Sequence, residues 1–233
     1  MHGLARRASR IVRVGLLALV LLSIGSANRP VIAGPIAERK APAITPPTAS
    51  SAERKAPMTV KVVPRSRSGV FRDTTLVYLD GQIDAGAPTR LSEALDGVEG
   101  KIAVWLNSAG GNVFAGMQLG RIIRQHGAWT HIINYRTLLP GECYSACALA
   151  FLGGVYRFSD NGARYGVHRA STTGERDLGK DFSAAIGSYI REMGVDAHLL
   201  DLWERAGPDE MYVLSLQEAK DLGVVTNGRE PPK

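Results

Sequence analysis

"VWLNSAGGNVFAGMQLGRII", residues 104–123, decides the fold. It opens as an apolar run of the kind that makes a buried strand and breaks at two adjacent glycines. It resumes with Val113, Met117, Ile122 and Ile123 at helical spacing, and Gly127 offers a stop. Strand, tight turn and helix in direct succession are the building unit of a layered α/β protein. The same alternation recurs on both sides. "TTLVYLDGQID" (74–84) reads as a strand and turn, "TRLSEALDGV" (89–98) as a short amphipathic helix, and "KIAVWLN" (101–107) and "WTHIINY" (129–135) as strands. "CYSACALAFLGG" (143–154) reads as a small-residue helix ending in glycines, followed by short strands in "VYRFS" (155–159) and "RYGVHRA" (164–170). Helices are expected in "KDFSAAIGSYIREMG" (180–194) and "DAHLLDLWERAG" (196–207), and a last one begins at Ser215, where Ser215 and Glu218 have capping-box spacing. The alternation predicts largely parallel strands.

The chain before this pattern is of a different kind. "MHGLARRASRIVR" (1–13) is basic, "VGLLALVLLSIG" (14–25) is apolar without interruption, and "GSA" (25–27) supplies the small residues of a cleavage site. The pattern is that of a secretory signal peptide over residues 1–27. Its apolar run is short for a spanning helix, and the alternative is an uncleaved membrane tether through residues 14–25. The sequence "ARRASR" lacks the full twin-arginine context, which points to the general export route and a periplasmic or other extracytoplasmic location. Residues 28–69 read as a disordered linker rich in Pro, Ala and Ser, in which "AERKAP" occurs twice, at 37–42 and 52–57. The folded domain is expected over 70–228, with a flexible tail at 229–233.

Composition removes one class of function. Up to residue 61 there are ten Lys and Arg against two acids, while the rest holds eighteen basic and twenty acidic residues. The positive balance therefore belongs to leader and linker. No basic stripe with interleaved aromatics marks a nucleic-acid surface.

Three features carry chemistry. The loop "LNSAGGN" exposes N–H groups at a helix start, where an anion or a developing oxyanion could be held. It has neither a Gly-Lys-Ser/Thr ending nor GxGxxG spacing, so it is not a phosphate loop, and by itself it reads as a tight turn. Ser145, taken alone, reads as an N-cap, and His168 as a strand-end histidine. Their order is what points to a hydrolase: a glycine loop, then a serine at a helix start, then a histidine able to take the serine's proton.

At this point a resemblance becomes specific. "VYLDGQID", "VWLNSAGGNVFAGMQLGRII", "GECYSACALAFLGG", "ARYGVHRA" and "VLSLQEAKDLGVV" resemble, in order, the motifs of the Clp-protease-like serine peptidases within the crotonase-like fold, from about Leu76 to Val225. The resemblance implies an α/β fold built as a spiral of ββα units. It implies Ser145 as nucleophile, His168 as base, and the Gly111 and Ala146 N–H groups as oxyanion donors. Gly110, Asn112, Val113 and Phe114 would line the cleft where an extended peptide pairs. The family's acid falls on Gly207, so Asp209, two residues on, is the expected third member, with Glu210, Asp201 and Glu204 as fallbacks. Ala109 stands where the family has proline, and Cys143 and Cys147 replace small residues around the serine. The relatives form rings, so a homo-oligomer is expected; a shortened stretch after His168 points to one small ring or trimer, not a double ring.

Cys143 and Cys147 leave two readings open. An exported chain with an even pair favours a disulfide, but four residues of regular helix aim the Cβ atoms poorly, and two buried thiols fit as well. No ligand set for zinc surrounds them, and no metal or other cofactor is expected. The function read from the sequence is an exported, ATP-independent serine peptidase acting on peptide or protein substrates. The rivals are a non-catalytic peptide-binding or scaffold protein of the same fold, a crotonase-type acyl-CoA enzyme, and a serine–lysine hydrolase using Lys180.

Overall fold

The computed structural model describes residues 56–65, 71–170 and 179–227. The signal peptide or tether, most of the linker with the first "AERKAP" copy and the first four residues of the second, and the C-terminal tail lie outside the described residues. One linker boundary changes. Thr59–Val63 (β1), inside the stretch expected to be disordered, is a strand paired antiparallel with Thr74–Asp80 (β2). Its alternating Val60 and Val62 pack against the core, a short signal that the surrounding Pro- and Lys-rich composition hides.

The chain continues through helix Ala87–Leu95 (α1), strand Lys101–Asn107 (β3), helix Val113–Gln125 (α2) and strand Trp129–Asn134 (β4). Then come Leu139–Pro140 (β5), Glu142–Tyr144 (β6), helix Ala146–Leu152 (α3), Arg157–Phe158 (β7) and Arg164–Val167 (β8). Helices Gly179–Glu192 (α4) and His198–Arg205 (α5), strand Tyr212–Leu214 (β9) and helix Leu216–Asp221 (α6) complete it. Ser215 caps α6 in the expected capping box with Glu218. The fold is mixed α/β with two sheets. The larger has the order β1-β2-β3-β4-β5 with β7 beside β4, and the smaller is β6-β8-β9. The strands are largely parallel, as expected: β2-β3, β3-β4, β4-β7 and β6-β8 pair in parallel, while β1, β5 and β9 add antiparallel pairs.

The two sheets join where β3 ends. The Ser108 N–H donates to the Glu142 carbonyl at 2.7 Å and the Tyr144 N–H to the Ser108 carbonyl at 3.0 Å. The residues after β2, β3, β6 and β8 thus gather at the carboxyl ends of parallel strands, the edge at which open α/β sheets form their sites.

Inside, Val77, Leu79, Val104 and Leu106 alternate toward α1 and α2, and all seven residues of α3 are fully buried. α2 and α3 approach closely because glycine stands at the crossing. A Cβ on Gly116 would lie 2.3 Å from the Ala146 carbonyl oxygen, and one on Gly153 only 2.1 Å from that of Gly120. Neither neighbour is a side chain that could swing away. Gly153→Ala is expected to lower stability by about 2–3 kcal/mol, as overpacking against rigid backbone does, measured by urea denaturation.

Candidate functional site

Ser145 sits between β6 and α3 with φ 55° and ψ −121°, a backbone state that L-residues other than glycine rarely hold. The sequence pattern placed residues 143–154 in one helix. Instead β6 runs to Tyr144 and α3 begins at Ala146, so Ser145 is the turn between them. Its side chain makes no cap hydrogen bond. The plain N-cap role is therefore not filled. A strained serine at a sharp strand-to-helix turn is the geometry of a nucleophile elbow.

The neighbouring strand brings the histidine. β6 pairs in parallel with β8, with Tyr144 opposite Gly166, and the Ser145 N–H donates to the Gly166 carbonyl at 2.9 Å. Ser145 and His168 thus leave adjacent strands at the same end. The His168 Nδ1 is buried without a hydrogen-bond partner among the described residues. Burial holds the ring's pKa below the ordinary imidazole value, against the opposing influence of the Pro208 and Arg169 backbone and the Asp209 carboxylate.

Asp209 reaches this position through a backbone bond, the Arg169 N–H to the Ala206 carbonyl at 3.0 Å, which lays the turn after α5 along the end of β8. Asp209 is exposed and acts on the ring through its charge. The fallback acids are placed elsewhere. Glu210 accepts from the Gly207 N–H at 3.3 Å, Asp201 lies in the first turn of α5 and acts on His198, and Glu204 is exposed on that helix.

The glycine loop closes over the serine. Gly110 and Gly111 have φ 100° and 139°, both disfavoured for any side chain. A Cβ on Gly110 would lie 2.8 Å from the Ser145 Cβ and 3.2 Å from the Ala146 nitrogen, so the loop rests directly on the turn. Ile83 bridges this loop by donating to the Gly110 carbonyl and accepting from the Asn112 N–H, each at 2.8 Å. The Gly111 N–H takes no part in that bridge and donates to none of the described residues.

Of the expected peptide-lining residues, Asn112 is already engaged. Its N–H serves Ile83, its carbonyl accepts from Gly116, and its Oδ1 caps α2 by accepting from the Ala115 N–H at 2.9 Å. Its role is to start the helix. Val113 is partly buried against the core, whereas Phe114 is 54% exposed, with its ring 5.3 Å from that of Phe182 on α4. The sequence reading missed Phe182. It also missed Tyr144, whose ring lies so close to Gly166 that a Cβ there would come within 2.6 Å of its Cδ1. Lys180 lies where the structure describes no side chains.

The cysteine question resolves as a disulfide between Cys143 and Cys147, Cα atoms 5.0 Å apart. It became feasible because Cys143 lies in the strand β6, so the pair does not share a regular helix. Both halves are fully buried, and Ser145 is the middle residue of the closed loop. Among the described residues no group of three or more His, Cys, Asp or Glu could hold a metal ion, and no helix is long and apolar enough to cross a membrane.

No protein-family model and no curated protein matches the chain. Solved structures similar to it include a mutant of the 1510-N membrane-bound stomatin-specific protease, 20% identical, covering 64% of this chain and 75% of that one with a TM-score of 0.49. Another is ClpP1 from Listeria monocytogenes, 23% identical, covering 66% of this chain and 88% of that one, also with a TM-score of 0.49. At that level the functional reading rests on this chain's own site.

Two outcomes test the turn. Ser145→Gly is expected to raise stability by about 1 kcal/mol in urea denaturation, since glycine adopts the mirror-image backbone state without strain. A cap serine would give a small loss instead. The double variant Cys143→Ser/Cys147→Ser is expected to lose about 2 kcal/mol, the chain-entropy value for so short a loop. Intact mass and alkylation before and after reduction give the bridge directly.

Proposed function

We propose that the protein is an exported serine hydrolase, a peptidase of the Clp-protease-like kind, acting on extended peptides without ATP. The observation that carries the reading is Ser145: a serine at φ 55° that caps nothing, between a strand and a helix, with a half-buried histidine leaving the adjacent strand and a glycine loop resting on it. In this reading the succession of strands and helices is a spiral of ββα units, and the active form is a small homo-oligomer.

The Ser145 Oγ attacks the peptide carbonyl carbon. His168, neutral because burial disfavours its cation, takes the hydroxyl proton and returns it to the leaving amine. The N–H groups of Gly111 and Ala146 receive the oxyanion, and water then repeats the sequence on the acyl-enzyme. The Asp209 charge stabilises the imidazolium that forms between the two transfers. Phe114 with Phe182 offers an apolar wall for a substrate side chain. The non-catalytic peptide-binding reading draws on the exposure of Asp209, which leaves His168 without a buried acid to orient it.

A fluorophosphonate probe decides between them: the expected result is covalent labelling at Ser145 that Ser145→Ala and His168→Ala abolish. Peptide hydrolysis should fall about 10⁴-fold or more in either variant and no further in the double variant, because such groups act as a unit. Asp209→Asn should fall less. A folded Ser145→Ala protein that keeps its hydrolysis excludes the mechanism.

The pH dependence follows from the direction of the His168 shift. The acid limb of kcat/KM is expected to have its midpoint below 6.5, the ordinary imidazole value. Stability carries the same sign. Below pH 6.5 the unfolded chain binds a proton that the folded His168 resists, so this group's contribution is present at neutral pH and lost on acidification. His168→Gln should flatten that part of the stability–pH curve.

A further inference from the structure

We propose that the hairpin tip Leu138–Leu139 is a membrane-docking element that seats the protein on an anionic lipid surface. This does not rest on the hydrolase reading. Leu138 and Leu139 are the most exposed large apolar side chains of the described residues, at 65% and 61%. Leu138 also has φ 57°, a conformation that favours glycine or asparagine and disfavours leucine. The tip is nevertheless well held. The Leu138 N–H donates to the Asn134 carbonyl at 2.8 Å, and the Arg136 N–H to the Asn134 Oδ1 at 3.0 Å. Arg136 in turn pairs with Asp80 at the end of β2 at 2.8 Å. A bulky apolar pair is thus presented to solvent from a fixed hairpin.

The groups around the tip name the occupant. The Tyr135 ring stacks on Tyr78 with centroids 4.6 Å apart, and Lys61 and Arg136 place their cations 5.7 and 5.8 Å from the Tyr135 centroid. Two exposed leucines in the same turn as a tyrosine flanked by cations match a bilayer boundary: acyl chains take the leucines, and anionic headgroups meet the ring and Lys61, while Arg136 is shared with Asp80. The preceding chain joins the domain at the same edge. The Gln82 N–H donates to the Ala56 carbonyl just beyond β2, whose Asp80 holds Arg136. The sequence before Ala56 carries the apolar run 14–25 and most of the chain's basic excess.

The test uses the full chain with vesicles of phosphatidylcholine containing phosphatidylglycerol, and reads hydrogen exchange at residues 135–140. Vesicles are expected to slow exchange at the tip about tenfold or more, the scale of one leucine leaving water. Leu138→Ser/Leu139→Ser should abolish that protection while circular dichroism stays unchanged. Leu138→Asn, which eases the backbone and leaves Leu139, should keep part of it. Binding through other segments does not reproduce protection at the tip. Tip exchange unaffected by vesicles overturns the proposal. So does protection that appears without lipid and grows with protein concentration, which would make the occupant a second copy. Equal protection on pure phosphatidylcholine overturns the assignment to an anionic surface.

Discussion

The structure depends on making a short, wholly buried helix tolerable. α3 has seven residues, none with measurable exposure, and a helix of that length leaves its last four carbonyls without helical partners. In a dry interior each would be costly unless bonded. Side chains from across the fold supply the bonds. The Tyr189 hydroxyl donates to the Leu149 carbonyl at 2.9 Å and the Thr130 hydroxyl to that of Phe151 at 2.8 Å. The Gly153 N–H takes the Ala150 carbonyl. Arg124 and Arg157 together cover the carbonyls of Leu152, Gly153 and Gly154. Arg157 is completely buried, and burial lowers its pKa to about 10, so it remains a cation at neutral pH. Its other bonds go to the carbonyls of Gly223 and Val224, which draws the segment after α6 onto the same point. Burying a cation among carbonyl oxygens at a helix C-terminus is one of the few arrangements that offsets its desolvation.

With that end saturated, the conformational demand falls on the other. The chain must pass from β6 into α3 in a single residue, because Cys143 and Tyr144 are held by pairing with Ser108 and β8, while Ala146 is held by its contact with Gly116. Ser145 absorbs the turn. The disulfide closes around it, and Gly110 presses on it from above. The strain at Ser145 is thus imposed from both sides by packing, as strain at functional positions generally must be if it is to persist.

Much of this was legible. The helix α2 and the strand β3 follow from hydrophobic spacing, and the order of glycine loop, Ser145 and His168 identified the residues that the fold brings to one edge. What was not legible has physical causes. β1 is a five-residue edge strand inside a polar, proline-rich stretch, so composition outweighed a short alternation. Cys143 and Tyr144 read as helix because both residue types fit either state, and only pairing with β8 decides between them. The disulfide hung on that same boundary. Asn112, directly before α2, has the residue type of an N-cap, but nothing in the sequence shows that its N–H would also be taken by Ile83. Arg124 and Arg157 read as ordinary charges, because nothing in a sequence tells that a guanidinium will end among carbonyls contributed by residues up to 69 positions away.

The bonds around the end of α3 all land on main-chain oxygens. Such oxygens are supplied by every residue type, so these bonds place no chemical requirement on which side chains occupy positions 149–154. The requirement is displaced to Thr130, Arg124, Arg157 and Tyr189, which stand far apart in the chain and inside otherwise unremarkable segments. The helix that organises the molecule is in this sense specified remotely. Cys147 apart, its own letters are free to vary within the limits of volume, and the information that holds its C-terminal end is scattered too thinly to form a motif.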